Sequence, residues 1–147
     1  MVTERAGFLK QFKPFEEFTD SDLEVIEGAL RDANFKRGQE IFKAGDESTT
    51  MYVIRKGYVR IFRKTKEEEK TIAVASPGEF FGELALVDTS PRSASVTASD
   101  DVAALTITKR NMEYLQARYP VVALKIYRVL LRVLSARLRR TFKKTQD

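Results

Sequence analysis

The 147-residue chain has no cysteine and no histidine. Without thiols and imidazoles it can form no disulfide, no cysteine nucleophile and no Cys/His metal centre, and it lacks the commonest general base. No metal site and no catalytic residue is therefore expected, and an enzyme is not. Long hydrophobic runs are also missing. Charged residues interrupt each apolar stretch well short of the roughly 20 residues that span a bilayer, and no basic-then-apolar leader opens the chain. These absences predict a soluble, cytoplasmic protein without membrane segments. What is present is 43% hydrophobic residues, enough for a single domain over 1–147 that buries about two thirds of its unfolded surface. The formal net charge of +5 is modest. Its basic excess gathers in "RLRRTFKK" at 137–144, where Lys and Arg complement the dipole of a helix end, so a solvated terminus is expected there rather than a nucleic-acid patch.

Along the chain the hydrophobic period changes twice. Thr19, with Asp22 three residues on, forms a capping-box pattern ahead of an apolar-periodic run, and predicts a helix over about 20–30 within an N-terminal helical segment, 1–34. From Phe35 short β-branched and aromatic runs alternate with turn glycines at 38, 45 and 57, which predicts strands joined by tight turns. The charge run "KTKEEEK" reads as an exposed hairpin tip, and Asp100 with Asp101 as a further turn. About eight short strands fill 35–107, so the fold class is mainly β: an eight-stranded antiparallel β-roll of jelly-roll type with flanking helices. Thr108 can cap a helix through about Arg118, and Pro120 can open a long last helix within 108–147.

That last helix is apolar over more of its circumference than one contact requires. Leu124, Tyr127, Leu131, Leu134, Leu138 and Thr141 form one stripe; Val122, Ile126, Val129 and Val133 form a second. One stripe can cover the barrel while the other, through Leu124, Leu131, Leu134 and Leu138, meets its copy in a homodimer as a short parallel coiled coil. The alternative is one helix sunk deeply in a single groove.

Between two predicted strands lies "FGELALVDTSPRSASV", 81–96. A turn with solvated charges is one reading; a cradle for a small phosphate ester is the other. Residues 81–86 are enough for one or two helical turns, whose first amides, 82–85, would point at an anion. Gly82 permits close backbone approach, Pro91 stiffens the return, and Arg92 can close a charge-assisted contact with a single phosphate. Glu83 would repel that phosphate but can accept from a neighbouring hydroxyl, such as a ribose 2′-OH. Ser93 and Ala94 are small, as a close approach requires.

The run F-G-E-L-A-L, five residues, then P-R-S-A-S-V resembles the phosphate-binding cassette of the cyclic nucleotide-binding domain family, to which catabolite activator-type regulators, protein kinase regulatory subunits and cyclic nucleotide-gated channels belong. The likeness extends upstream through "GQEIFKAGDESTTMYVIRKGYVRIF" and downstream through the closing helices. It implies that Arg92 binds the cyclic phosphate, that Glu83 accepts from the ribose, and that Gly82, Leu84 and Ala85 supply the cassette backbone. Ser93 matches a position where serine is frequent in cAMP receptors and threonine in several cGMP-responsive domains, so cAMP is the expected ligand, cGMP the alternative, and no other cofactor is implied. On the strand at 72–75 either Ala73 and Ala75 or Ile72 and Val74 face inward, and the resemblance favours the alanines as pocket wall. Thr141 and Phe142 best match the polar pair that reaches the base late in the last helix of the catabolite activators. No helix-turn-helix segment follows that helix, so a sensor or regulatory domain is expected, without specific DNA binding and with an unspecified downstream partner. An orphan β-roll that serves only oligomerisation or docking is the competing expectation.

Overall fold

The computed structural model describes residues 4–88 and 90–146, with side chains to 143. Four helices, α1 (Glu4–Lys10), α2 (Asp20–Glu27), α3 (Lys109–Arg118) and α4 (Pro120–Gln146), flank eight strands: β1 (Arg31–Phe35), β2 (Glu40–Phe42), β3 (Thr50–Lys56), β4 (Val59–Lys64), β5 (Glu69–Ala75), β6 (Phe80–Phe81), β7 (Ser95–Ala98) and β8 (Val102–Thr108). Short 3-10 turns occupy Lys13–Phe15 and Glu83–Leu86. The described residues gather into two compact units, one within 29–112 and the other formed by 4–28 with 113–146.

The first unit is the β-roll. Its strands form two four-stranded antiparallel sheets, ordered β1-β8-β3-β6 and β2-β7-β4-β5. Ile54, Phe81, Val102 and Ala104 from one sheet and Val59, Ala75, Val96 and Ala98 from the other share a single buried cluster, so the core lies between the sheets. Strand β8 is buried at 102, 104, 105 and 107 and half-buried at 103, 106 and 108, so both of its faces are largely covered. Gly57 turns β3 into β4 with φ +82, and a Cβ there would lie 2.2 Å from the Asp101 carbonyl oxygen, so no other residue fits that crossing. The charged tip between β4 and β5 is exposed and closed by the Thr65 amide on the Glu68 carbonyl, as its composition predicts.

Two boundaries differ from expectation. The helix foreseen to residue 30 stops at Glu27, and β1 begins at 31 inside the segment expected to be helical. Gly28 is a poor helix former, and residues 31–35 gain a complete ladder with β8, from Arg31 opposite Thr106 to Phe35 opposite Val102. Ala29 and Leu30 are buried at the join. Strand pairing with a segment 67 to 75 residues further along leaves no mark in local periodicity.

The second unit is helical. Thr19 and Asp22 do form the capping box: the Asp22 amide donates to Thr19 Oγ1 at 3.1 Å and the Thr19 amide to Asp22 Oδ2 at 2.9 Å. Lys125 on α4 donates to the same Asp22 carboxylate at 2.5 Å. Glu27 holds α1 by accepting from Arg5 Nε at 2.7 Å and the Ala6 amide at 3.1 Å. On α4, Val122, Ile126, Val129 and Leu130 are buried, whereas Leu124, Leu131 and Leu138 are 57%, 65% and 55% exposed. The two stripes are thus distinct, and Leu134 is half-buried between them. Thr108 Oγ1 caps α3 by accepting from the Asn111 amide at 3.0 Å. No helix among the described residues is long and apolar enough to cross a membrane.

Candidate functional site

The 81–96 stretch closes around Arg92. Strand β6 pairs Phe81 with Tyr52 on β3, and Gly82 then takes a left-handed φ of +74 that throws the chain into the 3-10 turn Glu83–Leu86. Ala85 and Leu86 anchor that turn in the interior while Leu84 faces out. On the return limb the backbone of Arg92 is clamped by the loop after β2. Its amide donates to the Asp46 carbonyl at 2.9 Å, and its carbonyl accepts from the Gly45 amide at 2.8 Å. Ser95 Oγ holds the same loop by accepting from the Ala44 amide at 3.0 Å.

Arg92 is buried, with 9% of the residue's surface exposed. Nη2 donates to the Thr50 carbonyl at 2.6 Å and Nη1 to the Gly82 carbonyl at 3.1 Å, and the guanidinium carbon lies 4.0 Å from the centroid of the Phe42 ring. Nε–H, equally buried, has no hydrogen-bond partner among the described residues. Burial lowers the pKa of Arg92, an effect opposed by the nearby Tyr52, Glu83 and Asp46. It remains a cation at neutral pH. Its two bonded partners are neutral carbonyls, so the site holds a desolvated positive charge with an unused donor, an arrangement that an anion would complete. Next to it Tyr52 stacks on Phe81 with ring centroids 4.9 Å apart, and burial raises the Tyr52 pKa. Glycine at 82 is required twice over. A Cβ there would stand 2.7 Å from Arg92 Nη1 and 3.1 Å from the Thr50 oxygen, in addition to the strain of the positive φ.

The structure therefore brings Gly82 and Arg92 into contact and puts Glu83 within electrostatic reach of Arg92. Glu83 and Ala94 are half-buried and Ser93 is exposed. Other expected residues fall differently. The Ala85 amide donates to the Gly82 carbonyl at 3.2 Å rather than standing open, because the turn is 3-10 and closes its ring three residues back. Ala75 belongs to the core and Ala73 is exposed, while Ile72 and Val74 are about half exposed. The two alanines thus share a strand face but not an environment, since the strand leaves the roll's interior between them. Thr141 donates to the Arg137 carbonyl of its own helix at 3.1 Å, the ordinary back-bond of a helical threonine, and Phe142 is 59% exposed. Thr50, Phe42 and Tyr52, which complete the arginine's surroundings, were not foreseen; a carbonyl oxygen as a partner leaves no signature in residue type. Among the described residues no three His, Cys, Asp or Glu side chains gather as metal ligands.

The sequence profile of the cyclic nucleotide-binding domain matches residues 33–119, more than half of the chain. A CRP-like cAMP-activated global transcriptional regulator of Mycobacterium tuberculosis is 30% identical over 141 residues, covering 95% of this chain and 58% of the regulator. A cGMP-dependent protein kinase of Eimeria tenella is 36% identical over 104 residues, covering 71% of this chain and 10% of the kinase. The fold matches the crystal structure of a cyclic nucleotide-binding domain from Methylobacillus flagellatus with a TM-score of 0.84 over 95% of this chain and 79% of that one, at 24% identity. This chain thus spans little more than half the length of the regulator and a tenth of the kinase. With the β-roll, the cassette turn and the buried arginine in place, the chain belongs to the cyclic nucleotide-binding domain family of regulatory domains.

Proposed function

We propose that the cradle around Arg92 binds a 3′,5′-cyclic nucleotide, cAMP in preference to cGMP, and that the chain works as a cytoplasmic sensor or regulatory domain with no catalytic step of its own. The buried, partnerless Nε–H of Arg92 carries this reading, because a phosphate is the ligand group that supplies both the missing acceptor and the missing negative charge. Glu83 accepts from the ribose 2′-OH. Ser93 presents an exposed hydroxyl, and without threonine's methyl it makes a poorer platform for a guanine amine, which favours cAMP. Binding shifts the position of the cassette and of α4 only by the ligand's differential affinity for the two arrangements.

The same chain pairs with a second copy in parallel through Leu124, Leu131, Leu134 and Leu138. Three of these are exposed at seven-residue spacing, the repeat of a coiled-coil seam. The nucleotide assignment is tested by Glu83→Ala. The variant should lose most of the parent's preference for cAMP over 2′-deoxy-cAMP, since only the hydroxyl separates the two ligands. An unchanged ratio removes Glu83 from the ribose. Ser93→Thr should narrow or invert the preference for cAMP over cGMP, a gap of about tenfold or less for one hydrogen bond.

A further inference from the structure

The helical unit carries a cleft that the nucleotide reading leaves unused. It lies between the 3-10 turn Lys13–Phe15 and α4, has a volume of about 520 Å³, and falls in the size range of small-molecule sites. Pro14 lines it from the turn, and Val129, Val133 and Ala136 line it from α4. The remaining lining side chains are all charged: Lys13, Arg132 and Arg140 against Glu16 and Glu17.

Charge and hydrogen-bonding capacity narrow the occupant. Arg132 is bonded to Glu17, and that bond, with the fields of Arg128 and Lys125, holds the Glu17 carboxyl below the usual carboxylate range. The lining thus carries three cations against two carboxylates, a net positive charge. Residues 120–146 contain eight Lys or Arg and no Asp or Glu, so α4 adds no counter-charge to Arg140. Among the lining side chains there is no hydroxyl, amide or aromatic ring. Pro14, Val129, Val133 and Ala136 give a hydrocarbon chain an apolar surface against which it has no hydrogen bond to lose. We propose that this cleft binds an anionic amphiphile, a linear acyl chain against Pro14, Val129, Val133 and Ala136 with its carboxylate on Lys13 and Arg140. Such a ligand touches both the turn and α4, so it favours whichever spacing of the two fits the chain.

The test titrates the full chain with decanoate, decanol and decyltrimethylammonium below their micelle-forming concentrations, by calorimetry and by NMR shifts. Decanoate should bind at least tenfold more tightly than decanol, and the cationic analogue more weakly than either. Ala136→Phe, at an exposed helix position that tolerates a larger side chain, should weaken decanoate at least tenfold while cAMP binding, in the other unit, is retained. Arg140→Glu should abolish the preference for decanoate over decanol. Equal affinities for decanoate and decanol, no binding of decanoate, or undiminished binding in Ala136→Phe would each overturn the proposal. Vesicles of phosphatidylglycerol provide the membrane-derived arm: capture by vesicles with no response to decanoate also overturns it.

Discussion

Replacing Arg92 by methionine separates what the arginine does for the fold from what it does for a ligand. In the free protein the exchange removes a buried cation and an unpartnered Nε–H, whose burial costs about 1–3 kcal/mol. It also removes the bonds to the Thr50 and Gly82 carbonyls and the contact with the Phe42 ring. These were charge-assisted, but they held a charge already withdrawn from water, and the flexible thioether of methionine can meet the Phe42 ring in place of the guanidinium. The opposing effects offset to within about 2 kcal/mol, so the unliganded thermal midpoint should move by less than about 8 °C. The liganded protein behaves differently. Losing one charge-assisted phosphate contact costs about 1.5–3 kcal/mol, roughly a 10- to 150-fold loss of affinity. At a cAMP concentration of about 100 times the parent's Kd, ligand stabilisation should fall from about 2.7 kcal/mol to about 0.3–1.4 kcal/mol. Scanning calorimetry of both proteins, with and without cAMP, measures the two quantities together. An undiminished ligand-dependent shift in Arg92→Met would refute the phosphate role, and a variant that fails to fold would make Arg92 a structural residue.

Gly82→Ala should weaken cAMP binding and lower stability by about 1–2 kcal/mol from the left-handed φ alone, with a further loss as Arg92 is displaced; calorimetry that finds parent-like values would contradict the close approach. Leu131→Glu should convert a dimer to a monomer in light scattering without unfolding the β-roll, because Leu131 is 65% exposed in the single chain. A parent that is monomeric at high micromolar concentration would instead return the leucine stripe to the surface of a monomer. Burial acts against the charge on Asp22, but the bonds from Lys125 and Thr19 outweigh it and lower its pKa. Its contribution to stability is therefore complete above the ordinary aspartate pKa of about 3.9 and is lost as pH falls through the lowered value. Asp22→Asn should flatten the acid limb of the stability profile below about pH 4, and an unchanged limb would show that the ion pair contributes nothing.

Much of the fold follows from local chemistry. The capping box at Thr19 and Asp22, the Thr108 cap, the start of α4 at Pro120 and the charged tip between β4 and β5 are each set by residues within a few positions of one another, and each lies where its sequence signal points. The start of β1 at Arg31 depends on its partner Thr106, 75 residues further along, and has no local signal. The candidate site divides in the same way. Gly82 and Arg92 are legible because one needs a positive φ and the other is a charge beside a turn. Thr50 enters only through its carbonyl oxygen, and Phe42 and Tyr52 read as ordinary strand residues until the sheets bring them to the guanidinium. The different environments of Ala73 and Ala75 depend on where β5 leaves the roll, which alternation alone cannot specify.

The most direct test of the central claim is calorimetric titration of the unmodified chain with cAMP and with cGMP at low salt. Saturable binding of one cyclic nucleotide per chain, tighter for cAMP by about tenfold or less, is the predicted result. Absence of binding by either nucleotide at millimolar concentration would contradict the assignment of the Arg92 cradle as a cyclic phosphate site.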